Sequence, residues 1–186
     1  MILALLRLIV RPSDWLATIA IIAVSLWAAT AVVAATIWAG QLTVNDQTFN
    51  RPTEPSRSPS GGPCGDLSGI GTAVYYQPLS FTVSADGVYT MTSVYTSATP
   101  NGWDGFIFMY SPSFNPMSPT LNCLMAGDDG PGGTAVDSRI VVTLSSGIPY
   151  VLVQSSYSNG ETGDFSTEVI GAGSVSLPVY LPLINR

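Results

Sequence analysis

Three aspartates, Asp128, Asp129 and Asp137, bracket the glycine-rich stretch GDDGPGG. Carboxylates around a flexible loop supply the hard oxygen donors that Ca²⁺ takes, six to eight at a time, with backbone carbonyls completing the shell. Asp104 or Asp86 joins such a site only if the fold brings its loop to the same place. The spacing is not that of an EF-hand loop, and Asp with Gly is also ordinary turn chemistry. Calcium is thus a cofactor the pattern admits, and none is required.

Most other chemistry is closed to this chain. It has no histidine and no lysine, and its six basic residues are all arginines. Ser-His-Asp and Cys-His nucleophiles need a histidine base, and Schiff-base or Ser-Lys mechanisms need a lysine. The glycines near Gly130 lie between expected strands, so no helix N-terminus follows them to hold a phosphate. A glycosidase carboxylate pair among Glu161, Asp164 and Glu168 is formally available, but these read as surface or turn residues. The expectation is a protein that is not an enzyme.

Aromatic side chains offer a second kind of site. Trp103 sits in PNGWDG, a turn context, Phe114 lies in a long proline-rich stretch, and Tyr157 follows an apolar strand. Exposed together on loops, Trp103, Phe114 and Tyr157 would form a binding patch for sugar or protein. Packed inward, they would be core.

From Gln41 onward there are four arginines against eleven acidic residues. Nucleic-acid binding depends on cationic contacts to phosphate, so no nucleic-acid partner is expected. The two cysteines, Cys64 and Cys123, match no zinc pattern. In an oxidising compartment they would pair and close a loop of about 60 residues, worth about 4 kcal/mol in the chain-entropy picture. Two buried free thiols are the alternative.

The element that sets the compartment is N-terminal. Trp15 to about Ala39 is an uncharged apolar run, and 25 residues are enough to cross a bilayer as one helix. Trp15 and Trp38 would then stand about 34 Å apart, one at each interface. Arg7 and Arg11 precede the run and share a helical face, as in a short interfacial helix. The positive-inside rule puts the N-terminus in the cytoplasm and the body outside the cell membrane, as a single-pass protein. A cleaved signal peptide is the rival, although its apolar core would be shorter. Ala31, Ala35 and Ala39, spaced by four, would let another membrane helix approach.

Residues 50–65, NRPTEPSRSPSGGPCG, hold four prolines and read as a Pro/Ser/Gly linker. The expected organisation is a membrane segment over 1–40, a linker over 41–65 and one domain over 66–186. In that domain short apolar runs alternate with turn signals. Strands are expected at Tyr75–Ser84, Gly87–Thr96, Gly105–Ser111, Leu121–Ala126, Ser138–Ser145, Tyr150–Ser156, Asp164–Ile170 and near Ser174–Leu181. The turns at Ala85-Asp86-Gly87 and Ser145-Ser146-Gly147 are expected to join adjacent strands. The fold class is all-β, a jelly-roll-type β-sandwich of about eight strands.

The ordered segments LSFTVSADGVYTMT, WDGFIFMY, CLMAGDDGPGGTAVDSRIVVTLSSGIPYVLVQS and TGDFSTEVIG resemble the bacterial pre-peptidase C-terminal (PPC-like) domain family over roughly Tyr75 to Gly171. The resemblance implies a small exported jelly-roll, usually an accessory module, with some relatives binding calcium or extracellular polymers. The hydrolase domain that usually accompanies it is absent, and FNPMSP, Phe114–Pro119, is an insertion.

The leading functional expectation is a membrane-tethered interaction module with protein partners in the membrane or envelope, including the role of accessory single-helix subunit in a larger complex. The alternatives are a calcium- or carbohydrate-binding envelope module and a pilin-like filament subunit. The filament reading lacks the short charged leader and the early acidic residue inside the apolar run.

Overall fold

The structure is a computed structural model and describes residues 34–96, 103–130 and 137–177. Ten strands follow in order: β1 Ala34–Leu42, β2 Thr48–Phe49, β3 Val74–Val83, β4 Gly87–Thr96, β5 Gly105–Tyr110, β6 Cys123–Gly127, β7 Asp137–Leu144, β8 Tyr150–Ser156, β9 Gly163–Gly171 and β10 Val175–Ser176. They form two antiparallel sheets. One runs β1-β9-β4-β7, and the other β10-β3-β8-β5-β6 with β2 also on β3.

Period-two alternation builds the space between the sheets. Tyr89 and Met91 on β4, Ile140 and Leu144 on β7, and Val169 on β9 face Phe81, Val83, Ile107, Met109 and Leu152 of the other sheet. The expected strands from Tyr75 to Ile170 match the observed ones within two residues; of the last, expected near Ser174–Leu181, Val175–Ser176 is strand and residues 178–181 lie outside the described residues. The expected turns do not join paired strands. β3 and β4 lie in different sheets, as do β7 and β8, so both connections arch from one layer to the other. Turn composition marks a reversal but carries no information about which sheet receives the next strand.

β5 and β8 are buried along their whole length. Their second face carries Phe106, Phe108, Tyr110, Val151 and Val153, which pack with Phe49, Val74, Tyr76 and Ala126. Phe114 closes this cluster, with ring centroids 5.4 Å from Phe49, 5.1 Å from Tyr76 and 4.8 Å from Tyr110. The FNPMSP insertion is therefore a lid over the outer face of the second sheet.

The segment read as a linker belongs to the domain. Arg51 N donates to Gly71 O at 3.0 Å, Thr53 N to Asp66 O at 2.8 Å, and Gly62 and Ala126 exchange backbone hydrogen bonds of 2.9 and 2.8 Å. Gly61 makes that approach possible. Its φ is +71°, and a Cβ there would stand 2.8 Å from Ala126 O. The disulfide Cys64–Cys123 forms as expected, with Cα atoms 6.0 Å apart, and pins the segment to β6. Proline density suggested a solvated spacer, but tertiary backbone bonds and a disulfide hold the same prolines in place.

The apolar run is also divided differently from the expectation. Residues 34–39 are strand, not the end of a helix, and β1 pairs with β9 from Ala34↔Gly171 to Leu42↔Gly163. Trp38 packs edge-on against Phe165 at 5.0 Å rather than standing at a membrane interface. Ala35 and Ala39 lie on the exposed side of β1 with Ile37, so they form no helical stripe. Gly40 lies against Phe165, whose Cζ would be 2.6 Å from a Cβ. A continuous apolar run has no visible period, so helix and strand look alike in it. Arg7, Arg11, Trp15 and Ala31 lie outside the described residues. Among the described residues no helix is long and apolar enough to cross a membrane.

Two outcomes follow from this packing. A chain beginning at Gly65 lacks β1, β2 and the 50–64 cover, and it will show no cooperative unfolding transition in urea, whereas a chain beginning at Val33 will. Phe108→Ala, at a fully buried ring between the second sheet and its cover, will lower unfolding free energy by about 3–5 kcal/mol.

Candidate functional site

At one end of the sandwich four chain segments meet: the start of β5, the end of β6, the β8–β9 connection and residues 51–71. They line a cleft of about 920 Å³.

Asp104 is placed by Trp103. The indole is buried against Tyr95, 4.6 Å between centroids, and its Nε1 donates toward Thr96 O and Asp164 O, each at 3.3 Å. Asp104 O then accepts from Tyr157 N at 2.7 Å, tying the β8–β9 connection to the start of β5. Asp128 and Asp129 leave the end of β6, and Gly130 N donates to Asp137 O at 2.9 Å to close that loop at its base. The carboxylates of Asp104, Asp128 and Asp129 each offer an oxygen, and these oxygens lie within 4.8 Å of one another. Asp104 and Asp128 are half-buried and Asp129 is exposed.

Arg51 is the cation nearest this group by its electrostatic influence, and it is only 2% exposed. Its guanidinium carbon lies 4.3 Å from the centroid of Phe106 and 4.6 Å from that of Tyr157. Nε donates to Tyr157 O at 2.9 Å and Nη1 to Pro52 O at 3.0 Å. Gly71 gives it room, since any side chain there would strike the Arg51 stem. The guanidinium is thus held by rings and backbone carbonyls, and it reaches the carboxylates only through its field.

That field does not balance the cleft. Burial, then Asp128, Glu161 and Asp129, push the Asp104 carboxyl up to about 7, with Arg51 opposing. Burial, then Asp129, push Asp128 up to about 6; Arg51 opposes and Glu54 adds to the rise. Burial also lowers the pKa of Arg51, against the pull of Asp128. A site that resists ionisation of its own carboxylates has room for added positive charge.

Of the three aspartates expected to bind a metal, Asp128 and Asp129 come together and Asp104 stands as the third. Asp137 opens β7 with its carboxylate against Gly130. Asp86 is at the far end of the sandwich, where it accepts from Ser146 N at 2.7 Å. The aromatic patch does not assemble. Trp103 is buried with Leu42, Tyr95 and Phe165, Phe114 is lid, and only Tyr157 lines the cleft, beneath Arg51. Sequence reasoning missed Arg51 and Glu54 because both sit in the presumed linker. The one available signal was the presence of charged residues in an otherwise Pro/Ser/Gly segment.

The two raised carboxyls fix the sign of a pH effect. Their folded pKa values lie above the ordinary 3.8, so between about pH 4 and 7 the folded chain binds more protons than the unfolded one. Stability from this pair is present at low pH and lost as pH rises through that window. In EDTA, the melting temperature will rise from pH 8 to pH 5 more than in Asp104→Asn, and Asp104→Asn will melt higher than wild type at pH 8.

No family model and no curated protein matches the chain, so the pre-peptidase resemblance rests on its motifs alone. Among solved structures, the chain is similar to "CBM35 from Cellvibrio japonicus Abf62", at 14% identity and a TM-score of 0.34, over 75% of this chain and 97% of that one. It is also similar to a chain of the cowpea mosaic virus top component, naturally occurring empty particles, at 11% identity and a TM-score of 0.34, over 84% and 93%. A chain of the empty virus-like particle of the same virus gives 11% identity and a TM-score of 0.35 over 84% and 89%. Likeness this distant carries no inference about ligand or activity, and the two-sheet sandwich stands on the strand pairing itself.

Proposed function

We propose that the chain is a non-enzymatic binding module, held at the outer face of a membrane by its apolar N-terminal segment, whose ligand site is the acidic cleft and whose first ligand is a divalent cation of the calcium kind. The observation that carries this reading is the convergence of Asp104, Asp128 and Asp129 from two separate loops. Ca²⁺ favours oxygen ligands in irregular, expandable geometry, and carboxylates on loops supply them. A bound dication would stabilise the ionised forms that burial and mutual repulsion now disfavour.

Two further points support the reading. With β1 starting at Ala34, the uncharged run that remains, 15–33, has 19 residues, still enough for one membrane crossing. The described domain is entered at Ala34, opposite Gly171, whereas the cleft lies at the other end, beside the Leu42↔Gly163 pair. A protein or envelope partner would then meet loops remote from the point of entry. A carbohydrate ligand, the second reading, would be held by the polar groups of the cleft, because Trp103 and Phe114 are packed away and form no aromatic platform.

Calorimetry tests this on the full chain, purified in detergent from the membrane fraction and stripped with EDTA. One Ca²⁺ will bind, and at 100 times its dissociation constant it will stabilise the fold by about 2.7 kcal/mol. Asp128→Asn will weaken binding at least tenfold. Absence of both heat and a melting shift ends the cation reading, and recovery of the whole chain from the soluble fraction ends the tether.

A further inference from the structure

The outer face of the second sheet is covered by its own chain, but the outer face of the first sheet stays open. Strand alternation turns Val88, Thr92 and Val94 of β4 outward there, with Ile37 of β1, Glu168 of β9 and Arg139 of β7. Ile37, Val88 and Val94 are 69, 58 and 48% exposed. Apolar side chains gathered on one flat face mark a contact surface.

The charges on this face say what contacts it. One row crosses all four strands: Ile37 pairs with Glu168, Glu168 with Thr92, and Thr92 with Arg139. Glu168 and Arg139 therefore flank Thr92, each one strand away. Among the described residues neither side chain makes a hydrogen bond or an ion pair. An apolar cover would bury both charges unpaired, which is costly. A second copy pairs them. With the two faces together and a two-fold axis along β4 at Thr92, Arg139 of each copy lies over Glu168 of its partner. In the next row the same axis sets Ile170 over Val141, which flank Thr90. An axis across the strands would instead set Arg139 over Arg139 and Glu168 over Glu168, a like-charge contact that opposes association.

We propose that the outer face of the first sheet is a homodimer interface, with two copies packed face to face about a two-fold axis along β4. Such packing keeps the strands of the two sheets nearly aligned, as in a sandwich. It also leaves both Ala34 positions at the same end, opposite Gly171, as two chains tethered in one membrane require. The proposal does not depend on the cation site, which lies among loops at the end of the sandwich.

The test uses the full chain in detergent and EDTA. Sedimentation gives the oligomeric state of wild type, Arg139→Glu, Glu168→Arg and the double variant, and a short bis-maleimide probes Thr92→Cys and Met117→Cys. Expected are a wild-type dimer, at least tenfold weaker association in each single reversal, and its return in the double variant. The bis-maleimide will join Thr92→Cys, which lies at the axis, and not Met117→Cys, which is 88% exposed on the lid of the other sheet. Melting of each variant reports the fold, and where a reversal melts below wild type the Thr92→Cys result decides alone. A monomeric wild type overturns the proposal and leaves the face to another protein. A dimer that persists through both single reversals and is not joined at Thr92→Cys is held elsewhere, and overturns it as well.

Discussion

The second sheet has two apolar faces, and everything outside the strand framework answers to that. Phe106, Phe108, Tyr110, Val151 and Val153 point away from the partner sheet. Left open, such a face would be a large contiguous apolar patch of the kind monomeric proteins seldom expose. The chain covers it twice, with residues 43–71 from one side and the Phe114 lid from the other. Edge-on contacts among Phe49, Tyr76, Phe108 and Phe114 fill the seam. The disulfide joins the two covers, because Cys64 belongs to the first and Cys123 ends the second.

The cleft is a by-product of that covering. The segment laid over Phe106 brings Arg51 onto the ring and Glu54 to the cleft wall, beside loops that already carry Asp104 and Asp128. Arg51 and Arg57 then share the cleft wall with Glu54, Asp104, Asp128 and Asp129, so carboxylates outnumber guanidiniums two to one in a half-buried setting. A cation held by rings and backbone carbonyls is well fixed but spends its hydrogen bonds elsewhere. It steadies the segment but does not offset the two effects that push the Asp104 and Asp128 carboxyls up, burial first and the neighbouring carboxylates second.

This arrangement separates the domain into two working ends. One carries the short arches at Asp86 and Ser146, where the carboxylate of Asp86 accepts from the neighbouring turn. The other carries the connections that meet at the cleft. A sandwich presents its variable loops at its ends while the sheets hold them apart, so a site can form where three connections and a cover converge.

The sequence by itself determined most of the strands from Tyr75 onward and the absence of histidine and lysine chemistry, and it offered a Cys64–Cys123 pair with two free thiols as the alternative. Each of these is local or a matter of inventory: alternation, turn residues, a count of two. Tertiary structure decided the rest. The run ending in AATIWAG read as the end of a membrane helix, and pairing with β9, where Phe165 gives Trp38 a partner, made it strand. The proline-rich stretch read as a spacer, and the outward face of β5 made it a cover. Asp104 and Glu54 lie 24 and 74 residues from Asp128 in the chain, and no local pattern links them. Their meeting depends on which sheet each arch enters and which face is left bare, and those are properties of the assembled packing.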